Sequence, residues 1–259
     1  MLKYTITTSE RASEESRRLA ADLAEKYRLE LVARRGKSIQ DLVKRSDNGL
    51  FVVDNNGLLT FYGDPPLEFH PGMAHLRVLG LIRGRGDRLV EVCGVKPGWR
   101  VLDCTAGLCA DSAVLSWAAG QKGEVVALEA SFPIFLVVQA GICRYPFPNP
   151  VLAESYRRIK LVHTSYRRFL AGQEENSYDL VYFDPMFEQP VKASSGIAPL
   201  RQVACYEPLD KAALKEALRV SAQKVVVKNR KESSLWDELE PDHLEASKGS
   251  RIAYGVFTK

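Results

Sequence analysis

From Trp99 onward, short apolar runs alternate with longer stretches whose apolar residues recur every three to four positions. "WRVLDC", "GEVVALEA", "IKLVHT", "YDLVYFD" and "QKVVVKN" are bounded runs of strand length, rich in β-branched residues. Between them, "ADSAVLSWAA", "PIFLVVQAGICR", "VLAESYRR", "SYRRFLAG" and "DKAALKEALRVS" follow the helical period, with Pro133 placed in a first turn where its missing N–H costs nothing. "RIAYGVF" near the end alternates as a sixth strand. Strands that are apolar on both faces and separated by helices predict an α/β fold: a doubly wound, mostly parallel sheet covered by helices on each side. In such sheets a ligand binds beyond the carboxyl ends of the strands. The residues that follow each strand are therefore the ones to read for chemistry.

The first part of the chain has a different rhythm. Residues 9–28 predict a helix capped by Ser9, with Leu19, Leu23 and Tyr27 on one face. "LELVAR" follows as a strand and "SIQDLVKRS" as a short helix. "GLFVVDNNGLLTFYG" is a hairpin, two apolar runs joined by Asp-Asn-Asn-Gly. "DPP" at 64–66 then punctuates the chain. We read residues 1–66 as a small α/β appendage and 67–259 as the main domain. Residues 74–93 are expected to be helical, interrupted around Gly84 and Gly86.

Composition adds limits. With 259 residues and 46% hydrophobic content, the chain can bury a sizeable core. No apolar run approaches the roughly 18–20 residues that span a bilayer, and "MLKYTITTSERASEE" lacks the apolar core of a signal peptide. A cytoplasmic protein with no membrane association is expected. Five cysteines without a CxxC pair read as reduced thiols. Four scattered histidines supply no metal site; even His70 and His75 lack ligand spacing. The net charge of +4 permits a nucleic-acid partner without requiring one.

The first strand of the main domain ends in "LDCTAGLCADS". Small residues Thr105, Ala106 and Gly107 let the backbone approach a ligand, and the following helix offers free N–H groups. This turn is not GxGxxG, and Asp103 places negative charge where a pyrophosphate would sit. An acid before a small-residue turn suits a ligand bearing an ammonium group, as S-adenosylmethionine does. The second strand ends at Glu129, where a carboxylate can accept from both hydroxyls of a ribose; that serves NAD and S-adenosylmethionine alike. After the third strand, Ser165 can bond an adenine edge or simply cap the next helix, and Tyr166 can cover the base. The fourth strand runs into "VYFDPMF". The carboxylate of Asp184 can accept from an exocyclic amine. Pro185 rigidifies the chain so that the next carbonyl points reproducibly as a second acceptor, and Phe187 can stack on a planar base.

"LDCTAGLCADS", "LEAS", "LVHTS", "VYFDPMF" and "KVVVKNR", in this order, resemble class I S-adenosylmethionine-dependent methyltransferases, which are Rossmann-like. More narrowly they resemble the bacterial 16S ribosomal RNA guanine-N2 methyltransferases that carry Asp-Pro-Met-Phe. "FHPGMAHLR" and "GRGDRLVEVCGV" resemble the segment those enzymes carry before their first strand. The likeness covers residues 67–259; the first 66 are more similar to uncharacterised Gram-positive relatives. It implies S-adenosylmethionine as cofactor, held by Ala110 and Asp111, by Glu129 with Ala130, and by Ser165 with Tyr166, with Asp184 at the junction of cofactor and substrate. The turn departs from the relatives' Gly-Leu-Gly-Arg-Asp, reading Gly-Leu-Cys-Ala-Asp, and Glu-Ala-Ser replaces Glu-Arg-Asn. These changes spare the carboxylates.

An RNA partner, small-subunit ribosomal RNA, is the expectation. Three basic clusters are placed to hold its phosphates: Arg83, Arg85 and Arg88; Arg157, Arg158, Lys160, Arg167 and Arg168; and Lys228, Arg230 and Lys231. The alternatives are N-methylation of another base or of a small-molecule amine, and a noncatalytic RNA-binding module on the same fold. The role of residues 1–66, the modified nucleotide and the oligomeric state are not legible at this level.

Overall fold

A computed structural model describes residues 4–185 and 198–259. The chain forms two compact units. The N-terminal unit comprises residues up to His70, together with 136–146 and, among the described residues, 198–204. The C-terminal unit holds the rest from Pro71.

The N-terminal unit contains β1 (Thr5–Thr8), α1 (Glu14–Tyr27), β2 (Glu30–Leu31), α2 (Ile39–Val43), β3 (Leu50–Val53), β4 (Leu59–Tyr62) and β5 (Leu67–Glu68). Its sheet runs β2-β1-β3-β4-β5, with β1 parallel to both neighbours and the β3–β4–β5 part antiparallel. The expected hairpin is β3–β4. Its turn is held by the Asp54 carboxylate, which accepts from Asn56 N–H (2.9 Å) and Leu58 N–H (2.8 Å), while Gly57 takes the positive φ of +75° that glycine adopts without strain.

Two expectations need correction here. Helix α1 starts later than position 9 and is capped by Ser13, whose Oγ accepts from Ser16 N–H at 3.1 Å, not by Ser9. Its buried stripe is Ser16, Ala20 and Ala24 rather than Leu19, Leu23 and Tyr27. Small residues let the helix lie close to its sheet, close enough for Ser16 Oγ to donate to Asp54 O at 2.8 Å. Strand β1 was also not expected. It reads "TITT", and the buried Thr5 and Thr7 look polar in a hydrophobicity pattern although their β-branched stems suit a sheet.

In the C-terminal unit, α3 (Gly72–Ile82) and α4 (Arg88–Cys93) are separated at the two glycines as expected. The alternating series follows along the chain: β6 (Arg100–Asp103), α5 (Ala110–Ala119), β7 (Glu124–Glu129), α6 (Phe132–Arg144), α7 (Pro150–Arg157), β8 (Ile159–His163), α8 (Tyr166–Ala171) and β9 (Tyr178–Phe183). Residues 136–144 of α6, and the later helix at 198–203, belong to the N-terminal unit. After the short helix α9 (Ala198–Val203) come α10 (Lys211–Val220), β10 (Ser221–Arg230), α11 (Leu235–Leu239), β11 (His243–Ala246) and β12 (Ile252–Thr258). The sheet order is β11-β12-β10-β9-β6-β7-β8. Strands β6 to β10 are mutually parallel, and β12 runs antiparallel to both β10 and β11. Strand β11 escaped the sequence because "HLEA" carries three exposed residues at a sheet edge.

The order places the site. The chain steps outward from β6 through β7 to β8, then returns so that β9 lies on the other side of β6. The switch point is therefore between β6 and β9, whose ends are Asp103 and the Asp184 that follows Phe183. The central strands are buried on both faces, as Val101, Leu102, Leu180, Val181 and Val225 to Val227 show. This is why they read as uninterrupted apolar runs.

Candidate active site

Asp103 closes β6 and is almost wholly buried. Its Oδ1 accepts from Thr105 N–H at 3.1 Å and its Oδ2 from Ser112 Oγ at 2.5 Å. Thr105 in turn accepts, through Oγ1, the backbone N–H of Asp184 at 2.6 Å. A continuous chain of hydrogen bonds thus joins the end of β6 to the end of β9 across the switch point. The turn is braced from beneath, since Ala106 N–H donates to Leu128 O at 2.9 Å. Gly107 has a φ of +51°, and a side chain there would meet no atom within 4 Å, so open space lies beside its backbone.

Glu129 closes β7 and is buried too. One carboxylate oxygen accepts from Gly107 N–H (3.1 Å) and the other from Ser131 N–H (2.7 Å). Each oxygen keeps a further lone pair. Burial pushes both Asp103 and Glu129 up to about 7, against the hydrogen bonds that favour their charged forms.

The second half of the site is an ionic network that sequence reasoning did not assemble. Lys228, on β10, donates from Nζ to Asp184 Oδ2 at 2.7 Å and to Asp111 Oδ2 at 2.8 Å. Asp111, in the first turn of α5, also accepts from Tyr182 Oη (2.7 Å) and from the Arg77 guanidinium of α3. Arg77 holds Asp87 with its Nε (2.7 Å) and Nη2 (2.9 Å), and Asp87 caps α4. Burial would drive the acid of Asp111 up, but Lys228 and Arg77 hold it far below the usual carboxylate range. Burial likewise opposes the charge on Lys228, and Asp184 with Asp111 raises it well above an ordinary lysine. Asp184 is pushed up by burial, with the Lys228 ammonium opposing.

Of the sequence-derived residues, the structure brings Asp103, Thr105, Gly107, Glu129 and Asp184 into these two linked sets. Ala106 is buried in the turn and Ala110 opens α5. The Asp111 carboxylate is filled by three donors of the protein itself. The Ala130 carbonyl lies 3.2 Å from His163 Nε2. Ser165 caps α8, accepting from Arg168 N–H at 3.4 Å. The expectation that Tyr166 covers a base is revised. Its ring is 4% exposed and packs edge-on against Phe183, and its hydroxyl donates to Pro208 O at 2.8 Å. Pro185 follows Asp184 as expected, and Phe187 lies outside the described residues.

Lys228 also needs correction. It is not a phosphate grip on the rim, because its ammonium is bound between two carboxylates. Some members of the other clusters also form ion pairs, with more exposed partners. Arg88 pairs with Glu245, Arg158 with Glu154, and Arg167 with Asp210. Arg77 gave no signal, since its partner Asp111 lies 34 residues away. Lys228 gave one that was misread: a lysine directly after three buried valines has to meet an opposite charge.

Among the described residues, the site holds the carboxylates of Asp87, Asp103, Asp111, Glu129 and Asp184 against two cations, Arg77 and Lys228. This donor set fits S-adenosylmethionine. The surplus negative charge suits a ligand bearing an ammonium and a sulfonium, the spare lone pairs of Glu129 suit two ribose hydroxyls, and the open side of Gly107 leaves room for a backbone-close ligand.

Comparison with known proteins shows the family of the chain. Residues 63–258 match the family model SAM_MT, described as "Putative SAM-dependent methyltransferase". The uncharacterized protein YpiP of Bacillus subtilis is 32% identical over 90% of this chain and 91% of its own length. The ribosomal RNA small subunit methyltransferase J of Pseudomonas paraeruginosa is 30% identical over 72% of this chain and 70% of its own. Among solved structures, a SAM-dependent methyltransferase from Aquifex aeolicus aligns with a TM-score of 0.45 at 15% identity, covering 74% of this chain and 98% of its own. Among the described residues no helix is long and apolar enough to cross a membrane.

Proposed function

Because the chain belongs to the SAM-dependent methyltransferase family, we propose that it methylates an exocyclic amine of a nucleic-acid base, namely guanine N2 in small-subunit ribosomal RNA. The observation that carries this reading is the bridge Asp103–Thr105–Asp184 across the switch point, with Lys228 holding one oxygen of Asp184. The RNA target is supported by the relatives named ribosomal RNA small subunit methyltransferase J.

S-adenosylmethionine, when bound, supplies an electrophilic methyl group on a sulfonium. Glu129 holds the two ribose hydroxyls through the lone pairs that Gly107 and Ser131 leave vacant. Asp103 would supply negative charge toward the ligand's ammonium end, and the backbone of Thr105 to Gly107 would allow its close approach. Ser165 offers its hydroxyl to the adenine edge.

On the substrate side, Asp184 Oδ2 accepts from Lys228, and Oδ1 accepts from no donor among the described residues. That oxygen takes one N–H of the amine, and the carbonyl after Asp184 takes the other. An aromatic amine is a weak nucleophile because its lone pair is delocalised into the ring. Two acceptors that fix its hydrogens turn that lone pair toward the methyl group, a gain of positioning and electrostatics rather than of base strength. The nitrogen becomes acidic as it is alkylated, so a carboxylate suffices to receive its proton. The base must leave its own stack to reach Asp184.

The test is mass spectrometry of small-subunit ribosomal RNA nucleosides from cells with and without the protein. One N2-methylguanosine should disappear in its absence and return when the purified enzyme and methyl donor are added. An unchanged nucleoside profile, or loss of a different methylated base, contradicts the assignment.

A further inference from the structure

The excess positive charge of the chain is not spread evenly. Between positions 28 and 45 stand six cations, Arg28, Arg34, Arg35, Lys37, Lys44 and Arg45, against two acids, Glu30 and Asp41. That net of four equals the excess of the whole chain, whose 36 basic and 32 acidic residues leave +4. Outside this stretch basic and acidic residues cancel in sum.

Folding leaves the imbalance facing water. Arg28, Arg35, Lys44 and Arg45 are exposed, and Arg34 and Lys37 partly so. Among the described residues none of the six joins an ion pair, unlike Arg77, Arg88, Arg158, Arg167 and Lys228 of the C-terminal unit. Arg34 Nε is buried with no acceptor. Of the two acids in the stretch, Asp41 is engaged locally, accepting from Ser38 Oγ at 2.6 Å.

The local fold keeps the cations together. Lys37 N–H donates to Arg34 O at 2.8 Å, closing a tight turn that projects Arg34, Arg35 and Lys37. Ser38 then caps α2, whose five residues make a helix about 7.5 Å long, and Lys44 and Arg45 follow at its other end. Val32 before the turn and Ile39 and Val43 within the helix pack on the same small core of Leu42, Leu50 and Val52. The segment is thus folded back on itself along the edge of the sheet, where β2 is the outermost strand.

Four net charges on one compact edge, mostly as guanidinium forks, match a polyanion with closely spaced phosphates. We infer that the Arg28–Arg45 edge of the N-terminal unit docks the phosphate backbone of the RNA substrate. The inference rests on the RNA reading above. It gives the N-terminal unit a task separate from the chemistry: a sequence-independent grip that adds affinity and salt sensitivity while base selection stays with the methyltransferase site.

Fluorescence anisotropy with a labelled, naked fragment of small-subunit ribosomal RNA tests this, across about 50–200 mM salt. Two variants are needed, Arg34→Ala/Arg35→Ala/Lys37→Ala and the exposed pair Lys44→Ala/Arg45→Ala, so that a folding defect in one does not decide the matter. Each should weaken RNA binding roughly tenfold at the lower salt, and flatten the slope of log affinity against log salt by about 0.7 for each phosphate no longer neutralised. Their affinity for S-adenosylhomocysteine should be unchanged. If the wild type binds RNA and both variants match its affinity and slope, the docking surface is refuted while the RNA reading stands. If the wild type binds no RNA, the RNA reading fails first and the surface falls with it. Tighter binding to phosphatidylserine vesicles than to RNA would replace RNA as the occupant and overturn the inference.

Discussion

Lys228 Nζ stands 2.7 Å from Asp184 Oδ2 and 2.8 Å from Asp111 Oδ2, so one ammonium ties the end of β9 to the first turn of α5. Through Asp111 the tie continues to Tyr182 and to the Arg77–Asp87 pair. The carboxylate we propose to meet the substrate amine is thereby fixed from behind by a network that need not touch the substrate.

Lys228→Met removes the ammonium and leaves two buried carboxylates facing each other. Breaking such a pair costs about 3–5 kcal/mol of stability, and the pKa of Asp184 should rise further because burial then acts with less opposition. A carbon-13 NMR titration of the aspartate carboxyls reads this directly. Lys228→Arg, which restores the charge, should bring the titration back toward the wild type. An Asp184 titration that does not move in Lys228→Met would remove Lys228 from any positioning role.

Glu129→Gln keeps the shape of the side chain but exchanges half its acceptor capacity for a donor. Hydrogen bonds to a charged group contribute about 1.5–3 kcal/mol, so affinity for S-adenosylhomocysteine should fall roughly ten- to a hundredfold by calorimetry. An unaltered dissociation constant would show that the ribose is held elsewhere.

Proton release should accompany binding of the methyl donor. Asp103 and Glu129 both titrate near 7 in the folded protein, raised by burial from 3.8 and 4.5. A cationic, hydroxyl-rich ligand favours their charged forms. Titrations at pH 6.5–7 in buffers of different ionisation enthalpy should therefore detect protons leaving the complex, and affinity should rise between pH 6 and 8. The same shifts set a stability trend for the ligand-free protein. The folded state keeps these protons up to about 7, whereas the unfolded chain releases them near 4, so their contribution is complete below about pH 4 and is lost as pH rises through 7. Binding without proton release, at a pH-independent affinity, contradicts this account.

Much of the fold was legible because the central strands are covered on both faces and so read as unbroken apolar runs. Asp103, Glu129 and Asp184 were legible for a related reason: each is an acid placed where such a run stops, at the carboxyl end of a strand, where α/β folds bind ligands. What escaped depended on contacts distant in sequence. Nothing near Arg77 announces Asp111, and Tyr182 looked like one more strand residue until its hydroxyl was seen to reach the same carboxylate. Tyr166 was misplaced because position after a strand does not say which way a side chain turns; here it turns into the core beneath Phe183. In α1, the large residues suggested one buried face, and the requirement for close helix–sheet contact selected the small residues beside it.

The central claim is that Asp184 orients the accepting amine while the other carboxylates hold the methyl donor. The most direct measurement is single-turnover methyl transfer by Asp184→Ala to ribosomal RNA lacking the modification, with S-adenosylhomocysteine affinity measured on the same preparation. The account predicts a rate lowered by about a thousandfold or more, as expected when a preorganised group acting in the transition state is removed, with cofactor affinity within about threefold of the wild type. Unimpaired methyl transfer by Asp184→Ala would contradict it.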